Sequence, residues 1–358
     1  MKARALFNVA CVLVFSTAVG FRFQQTAPQD PAEKHYKNIQ IFNGVEAKEV
    51  RPAMDAFSSA LGVRCSFCHT QDAKGEFQWA SDDKEEKKTA REMYRMMKKI
   101  NDDNFDGRME VTCATCHQGN SSPNRIPPIG QPPREARRPG GGNDANMPTA
   151  DSLVDKYVAA IGGQAAVDKV TSMHIKSEAT AEFGHLTLET FAKSPDKVTN
   201  YVQFPQGLFT QTYDGKEGWQ KFGNDSEQVQ GLDLANLIDS SPLMYVHVKE
   251  GYSGFRRVRK DTLDGKDVYV VDAQPKAEGL RVRLYFDATT GLLSRVWTGQ
   301  QTLAGLVPAT EDYSDYQEVN GVKIPHTIVD TGTDGVRTFK LLEIKINEDI
   351  PDSKFAKP

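Results

Sequence analysis

Two short stretches dominate what this chain can become: Arg-Cys-Ser-Phe-Cys-His at 64–69 and Thr-Cys-Ala-Thr-Cys-His at 112–117. Each sets two thiols with two residues between them and a histidine directly behind. Thiols one helical turn apart can form thioethers to the two vinyl groups of one haem, and the next residue then offers its imidazole to the iron. A structural zinc site also uses two Cys-x-x-Cys pairs, and an exported chain could form disulfides. The interval from Cys68 to Cys113 exceeds ordinary zinc-ribbon spacing, and neither alternative gives both histidines a task. The sequence therefore predicts two covalently bound c-type haems, held by Cys65, Cys68 and His69 and by Cys113, Cys116 and His117.

Haem attachment of this kind needs an exported chain, and residues 1–25 supply the signal. Lys2 and Arg4 precede an almost wholly apolar run from Ala5 to Gly20, ending in small residues. This reads as a secretory signal, or as an uncleaved anchor of nearly the same length. The chain is thus expected to be periplasmic or otherwise exported, tethered to the inner membrane if the segment is retained. Cys11 lies inside the run. Asn8-Val9-Ala10 before it departs from a lipidation pattern, so it reads as a small apolar residue. With a net charge of −4, no global basic field points to nucleic acid.

Residues 26–122 read as a helical haem module. A polar lead-in carries Ile39, Ile41 and Phe42, and two helix–loop–CxxCH units follow as an internal repeat. The first helix is PAMDAFSSALG, with Pro52 in its first turn, Gly62 as its stop, and Met54, Phe57 and Leu61 on one face. The second is expected over 83–100, opened by Asp82 and Glu85, with Ala90, Met93, Met97 and Ile100 as its apolar stripe. Residues 123–149 are rich in Pro, Gly and Arg and read as a solvated linker. Residues 150–358 change grammar. A helix with Leu153, Tyr157 and Ile161 on one face leads into alternating segments such as HIKSEATAE and KDVYVVDA. Turns such as Asp214-Gly215, Asp264-Gly265 and Asn320-Gly321 punctuate them in the antiparallel manner. A further small helix is expected over LDLANLIDS. The expected class is α+β in two domains, a multihaem helical module followed by a curved antiparallel half-barrel packed with one or two helices.

Sixth iron ligands must come from elsewhere. Met54 stands eleven residues before Cys65 on a helix face that must meet the haem, which favours ligation over simple packing. Met93, Met96 and Met97 all precede Cys113, and spacing alone leaves all three open.

LGVRCSFCH, KKTAREMYRMMKKIN and VTCATCHQG resemble the cytochrome c subunit of photosynthetic reaction centres, over roughly residues 36–125. In that family each haem is held by a helix–turn–CxxCH unit, with the motif His and, for most haems, a Met of the preceding helix on the iron. The resemblance implies Met54 and His69 as one ligand pair. Its Ala-Arg-x-Met falls on Ala90 to Met93, implying Met93 with His117 as the other. The family's subunits carry four haems and lack a large β domain, and here there are motifs for two. What the resemblance implies is a haem-binding electron carrier with a redox partner protein, and it does not establish delivery to a photosystem.

TYDGKEGW, YFDATTGLL, YSDYQEVNGVKIP and KINEDIPDSKF resemble the lipoprotein-carrier (LolA-like) and outer-membrane lipoprotein-sorting superfamily, an incomplete barrel closed by helices. That implies a lipid or hydrophobic-ligand pocket, or a docking platform. No catalytic constellation stands out there. His174, His185, His247 and His326 are scattered. Asp214, Asp264 and Asp287 read as turn caps, Trp219 and Trp297 as sheet-face packing, and the basic run Arg256–Lys260 as a solvated loop. The expected activity is outer-sphere electron transfer. The alternatives are a lipid or lipoprotein binder with redox-sensing haems, and a haem oxidoreductase acting on a ligand in the β half.

Overall fold

The first helical turn after the lead-in already depends on a buried anchor, Phe42, which is 1% exposed. In this computed structural model residues 30–123, 147–181, 184–205, 207–275, 280–333 and 335–358 are described. The expected signal over 1–25 and most of the expected linker, 124–146, lie outside them. Among the described residues no helix is long and apolar enough to cross a membrane. The N-terminal elements are α1 (Ala32–His35), α2 (Val50–Leu61), α3 (Cys65–Cys68), the small hairpin β1 (Thr70–Gln71) and β2 (Phe77–Gln78), α4 (Glu85–Asn104) and α5 (Cys113–His117).

Helix α2 stops where expected. Gly62 adopts φ 65°, which glycine tolerates without a Cβ penalty. Helix α4 departs from expectation at both its start and its buried face. Lys84, not Asp82, is its N-cap, and no side chain caps it. Asp82 turns instead to Arg91, 2.8 Å away, and Lys87, 3.3 Å away. The buried face is Lys87, Arg91, Tyr94, Met97 and Asn101 rather than the stripe of Ala90, Met93 and Ile100. The expected stripe shares only Met97 with it. The reason is pairing: a cation can be buried where a carboxylate and carbonyls satisfy it. Lys87 donates to the Trp79 and Ser81 carbonyls at 2.8 and 2.7 Å, and Arg91 donates to that of Asn38 at 3.1 Å.

The second part is one open antiparallel sheet of thirteen strands. Helices α6 (Ala150–Ala160) and α7 (Gln164–Val167) precede it. Its first six strands are β3 (Ser172–Ala181), β4 (Gly184–Lys193), β5 (Lys197–Phe204), β6 (Gly207–Tyr213), β7 (Gly218–Phe222) and β8 (Asp225–Val229). Helices α8 (Gly231–Asp239) and α9 (Val248–Gly251) intervene. The remainder are β9 (Tyr252–Leu263), β10 (Lys266–Pro275), β11 (Leu280–Asp287), β12 (Leu293–Thr302), β13 (Gly305–Val319), β14 (Val322–Gly332) and β15 (Gly335–Ile346).

The spatial order runs β8 back to β3, then β15 back to β9, so β8 and β9 are the two edges. The chain between them, residues 230–251, must therefore cross the sheet. It does so over one face. Leu243, Val246 and Val248 join Leu153, Tyr157 and Ile161 of α6 in the main core with Val271, Leu284, Phe286 and Ile324. Each of these fully buried side chains contributes about 1.5–3 kcal/mol relative to exposure.

The basic run Arg256–Lys260 is edge strand β9, not a loop. Asp272 on the neighbouring β10 gathers Arg259 at 3.4 Å and Arg257 at 3.8 Å, so two cations of the run meet one carboxylate within the ladder. Charge on an edge also discourages pairing with another chain. The turn caps hold at two positions. The Asp214 carboxylate accepts from the Lys216 and Glu217 N–H groups, and Asp287 accepts from those of Thr289 and Thr290.

The helices and the sheet share a second core. Ala304, at the tip between β12 and β13, is 1% exposed and packs among Phe42, Val50, Ala53, Ala56, Tyr94 and Met97.

Candidate functional site

Each Cys-x-x-Cys pair is a single helical turn, which is what places both thiols on one side of the chain. In the first, α3 carries Cys65 and Cys68, and the His69 N–H closes the turn on the Cys65 carbonyl at 2.9 Å. Lys84 at the head of α4 donates to the Ser66 and Phe67 carbonyls, fastening the turn from outside. The His69 ring meets Trp79 edge-on at 5.0 Å, and Trp79 stacks on Phe77 at 4.5 Å. Burial pushes the His69 imidazole below its usual range, and the Lys87 ammonium pushes the same way. The Nδ1 atom of His69 and the hydroxyl of Thr70 are buried without an aligned hydrogen-bond partner.

The second turn, α5, is opened by a reciprocal cap between Thr112 and Thr115. Behind it, His117 Nδ1 lies 2.9 Å from the Asn120 carbonyl oxygen. An N–H at Nδ1 donates there and leaves Nε2 free as a ligand atom. Cys113 is buried and its thiol is pushed up by that burial, whereas Cys116 is exposed.

The two motifs are held crosswise. The Gly119 N–H donates to the Ala60 carbonyl at 2.9 Å, tying the second motif to the helix that leads into the first. A Cβ on Gly62 would stand 2.2 Å from the Gly119 carbonyl oxygen. The first motif is in turn held by Lys84 of the helix leading into the second. Spacing along the chain gave no sign of this exchange, because both contacts run through backbone atoms and a lysine tip.

The methionines separate. Met97 is 5% exposed and belongs to the core, Met54 is half-buried at the edge of that core, and Met93 and Met96 are 37% and 49% exposed. Packing accounts fully for Met97 and in part for Met54, and leaves Met93 and Met96 largely at the surface. Phe67, Trp79, Met93, Met96 and Met109 of this part of the chain are large apolar side chains left exposed. Free thiols, imidazoles and exposed apolar side chains together fit a flat, largely apolar group bound through sulfur and nitrogen. Among the described residues the four cysteines form two separate free pairs, and no group of three His, Cys, Asp or Glu is placed to hold a metal ion.

A second cluster, in the β half, carries no sequence motif. Burial raises Glu311 to about 7, with Asp330 and Asp239 pushing the same way and the Tyr313 hydroxyl opposing. Burial raises Asp239 to about 6, while the Tyr252 hydroxyl, 3.5 Å away, opposes. Two histidines of this half are tied into the fold. His174 bridges Glu189 at 2.8 Å and Glu348 at 2.7 Å, and His247 meets the Val170 carbonyl at 2.7 Å. A groove of about 440 Å³ lies between the end of α2, Arg64, and the rims of β13 and β14.

Residues 19–157 match the family described as Photosynthetic reaction centre cytochrome C subunit. Cytochrome c-554 of Chloroflexus aurantiacus is 33% identical over 100 residues, covering 26% of this chain and 22% of that protein. The photosynthetic reaction center cytochrome c subunit of Thermochromatium tepidum is 30% identical over 96 residues, again 26% of this chain and 22% of that protein. The chain thus spans 22% of the length of each of these relatives. Over the C-terminal part the chain is similar to a LolA superfamily protein from Nitrosomonas europaea, at 15% identity, TM-score 0.42, and 59% and 99% of the two chains. It is also similar to a putative outer membrane lipoprotein-sorting protein domain from Vibrio parahaemolyticus, at 13% identity, TM-score 0.41, and 58% and 98% of the two chains.

Proposed function

We propose that this chain is an exported dihaem c-type cytochrome that passes electrons without making or breaking bonds to a substrate. The observation that carries the reading is the pair of one-turn helices, each setting two free thiols one turn apart with an imidazole directly behind. The family match over the same residues supports it. Cys65 and Cys68 would anchor one haem and Cys113 and Cys116 the other, and His69 and His117 would each supply an imidazole to the iron. Met54 and Met93 are the proposed sixth ligands. When bound, the haems supply one-electron exchange, and His/Met ligation raises their potential.

The chain's own residues do the rest. The Asn120 carbonyl fixes the His117 tautomer, Trp79 backs the His69 ring, and the core around Phe42 and Tyr94 holds both turns in place. The proposed division is residues 1–25 as signal or anchor, 26–122 as the haem module, 123–149 as linker and 150–358 as the β domain. The β domain is read as a docking platform for a redox partner protein. Its helix-covered face is occupied by α6 and the 230–251 crossing, and the 440 Å³ groove lies between Arg64 and the sheet rim. A second reading, oxidoreduction of a ligand in the β half, is favoured by the carboxyls of Glu311 and Asp239 among tyrosines.

Production in a host that matures c-type haem tests the proposal. Two haems per chain and a low-spin spectrum with a methionine–iron band are expected. A high-spin ferric spectrum would overturn the carrier reading, and haem reduction by an added small molecule would promote the second.

A further inference from the structure

The two motif histidines, His69 and His117, stand in different electrostatic settings. His117 has a carbonyl acceptor at Nδ1, 2.9 Å away. A donated hydrogen bond makes an imidazole a stronger electron donor, which favours the oxidised metal. His69 Nδ1 makes no aligned hydrogen bond, and the one backbone carbonyl acting on the ring, that of Trp79, is shared with a lysine. The Trp79 carbonyl beside it is taken by the Lys87 ammonium at 2.8 Å.

The charges acting on the His69 ring are those of Lys87, Arg91 and Lys84, whereas Glu86 acts with the opposite sign on Cys68. Lys87 and Arg91 are 9% and 7% exposed and share one carboxylate, that of Asp82. One positive charge is left over in a region of low dielectric, and Lys84 adds another at the Ser66 carbonyl. A buried positive charge favours the reduced metal, because removing an electron adds a like charge beside it. Both differences act in the same direction.

We propose that the two sites are unequal by construction, with the His69 site holding the higher reduction potential and Lys87 as the charge that sets it. This rests on the dihaem reading above. An electron delivered to the chain then settles at Cys65–Cys68, beside the Trp79 ring, which is 56% exposed.

A spectroscopic redox titration of the full holo-chain tests this without assigning waves in advance. The wild type is expected to show two separated midpoints. Lys87→Gln is expected to lower the upper midpoint and leave the lower one in place. Lys84→Gln, whose side chain is less buried, is expected to do the same by a smaller shift, and keeps the test open should Lys87→Gln not fold. Lys87→Arg is expected to leave both midpoints unmoved. Movement of the lower midpoint, equal movement of both, or no movement in either Gln variant overturns the proposal. Haem content is counted on the same samples. Fewer than two haems per chain overturns the dihaem reading and this with it, while two haems with the wrong wave moving overturns this alone.

Discussion

Met93 and Met97 are one helical turn apart on α4, yet one is 37% exposed and the other 5%. The difference is forty degrees of rotation about the helix, enough to move a side chain from core to rim. Met54→Leu and Met93→Leu are each expected to remove part of the methionine–iron band while costing under about 1.5 kcal/mol, since Leu and Met have similar volumes. Met97→Leu should leave the band intact. Absorption spectra of the three variants decide this. Gly62 makes a sharper demand. Gly62→Ala meets the left-handed penalty of about 1–2 kcal/mol and the Gly119 carbonyl as well, so a loss above about 2 kcal/mol is expected in urea unfolding. Glu311 sets a pH dependence of its own. Its folded value, about 7, lies above the ordinary 4.5, so the folded chain binds the proton more tightly. Its contribution is complete below about 4.5 and is lost as pH rises through 7, on the order of 2 kcal/mol. The urea midpoint should fall between pH 5 and 8, and Glu311→Gln should flatten that fall. Asp82, held near 2 by its hydrogen bonds to Asn38, Arg91 and Lys87, acts in the opposite sense, and its contribution is lost only as pH falls through about 2.

At the scale of elements, the decisive piece is the β12–β13 hairpin. Its tip, Leu303-Ala304, enters the core formed by Phe42, Val50, Tyr94 and Met97. Gly305 supports this approach, since a Cβ there would stand 3.2 Å from Thr112 of the second motif. Ala304→Asp would bury a carboxylate without a partner and is expected to cost about 3 kcal/mol or more. Hydrogen exchange should then show α2 and α4 losing protection before β3 and β15 do. The helices themselves were legible in the residues: the Gly62 stop and the run through Met54 and Phe57 sufficed for α2. The face of α4 was not, because Lys87 and Arg91 look like solvent residues until Asp82, Trp79 and Asn38 are brought to them. The alternating segments read from the sequence correspond to β3, β4, β5, β10, β11, β12, β14 and β15. Strand β9 escaped notice because Arg256 to Lys260 breaks the alternation with charge.

Across the whole molecule, the sheet meets itself in the middle. Strands β3 and β15 pair although most of the sheet lies between them in sequence. The 230–251 crossing is a consequence of that order. The β12–β13 hairpin packs into the core of the helical part, so residues 26–122 produced alone are expected to unfold at a lower denaturant midpoint than within the full chain. Circular dichroism on both chains measures the difference, and equal midpoints would show that the hairpin adds nothing.

The sequence by itself determined the chemistry at the two motifs, because thiol, thiol and imidazole lie within one local turn and need no distant partner. It also determined the antiparallel character of the second half, through alternation and turn residues. Only the tertiary structure decided which methionine packs, how the motifs brace one another, and why two similar histidines stand in dissimilar settings. Those outcomes depend on groups far apart in the chain. Gly119 reaches Ala60, Ala304 reaches Phe42, and Lys87 reaches the carbonyl of Trp79. Contacts of that kind are set by packing and by the need to pair buried polar groups, and no periodicity along the chain records them.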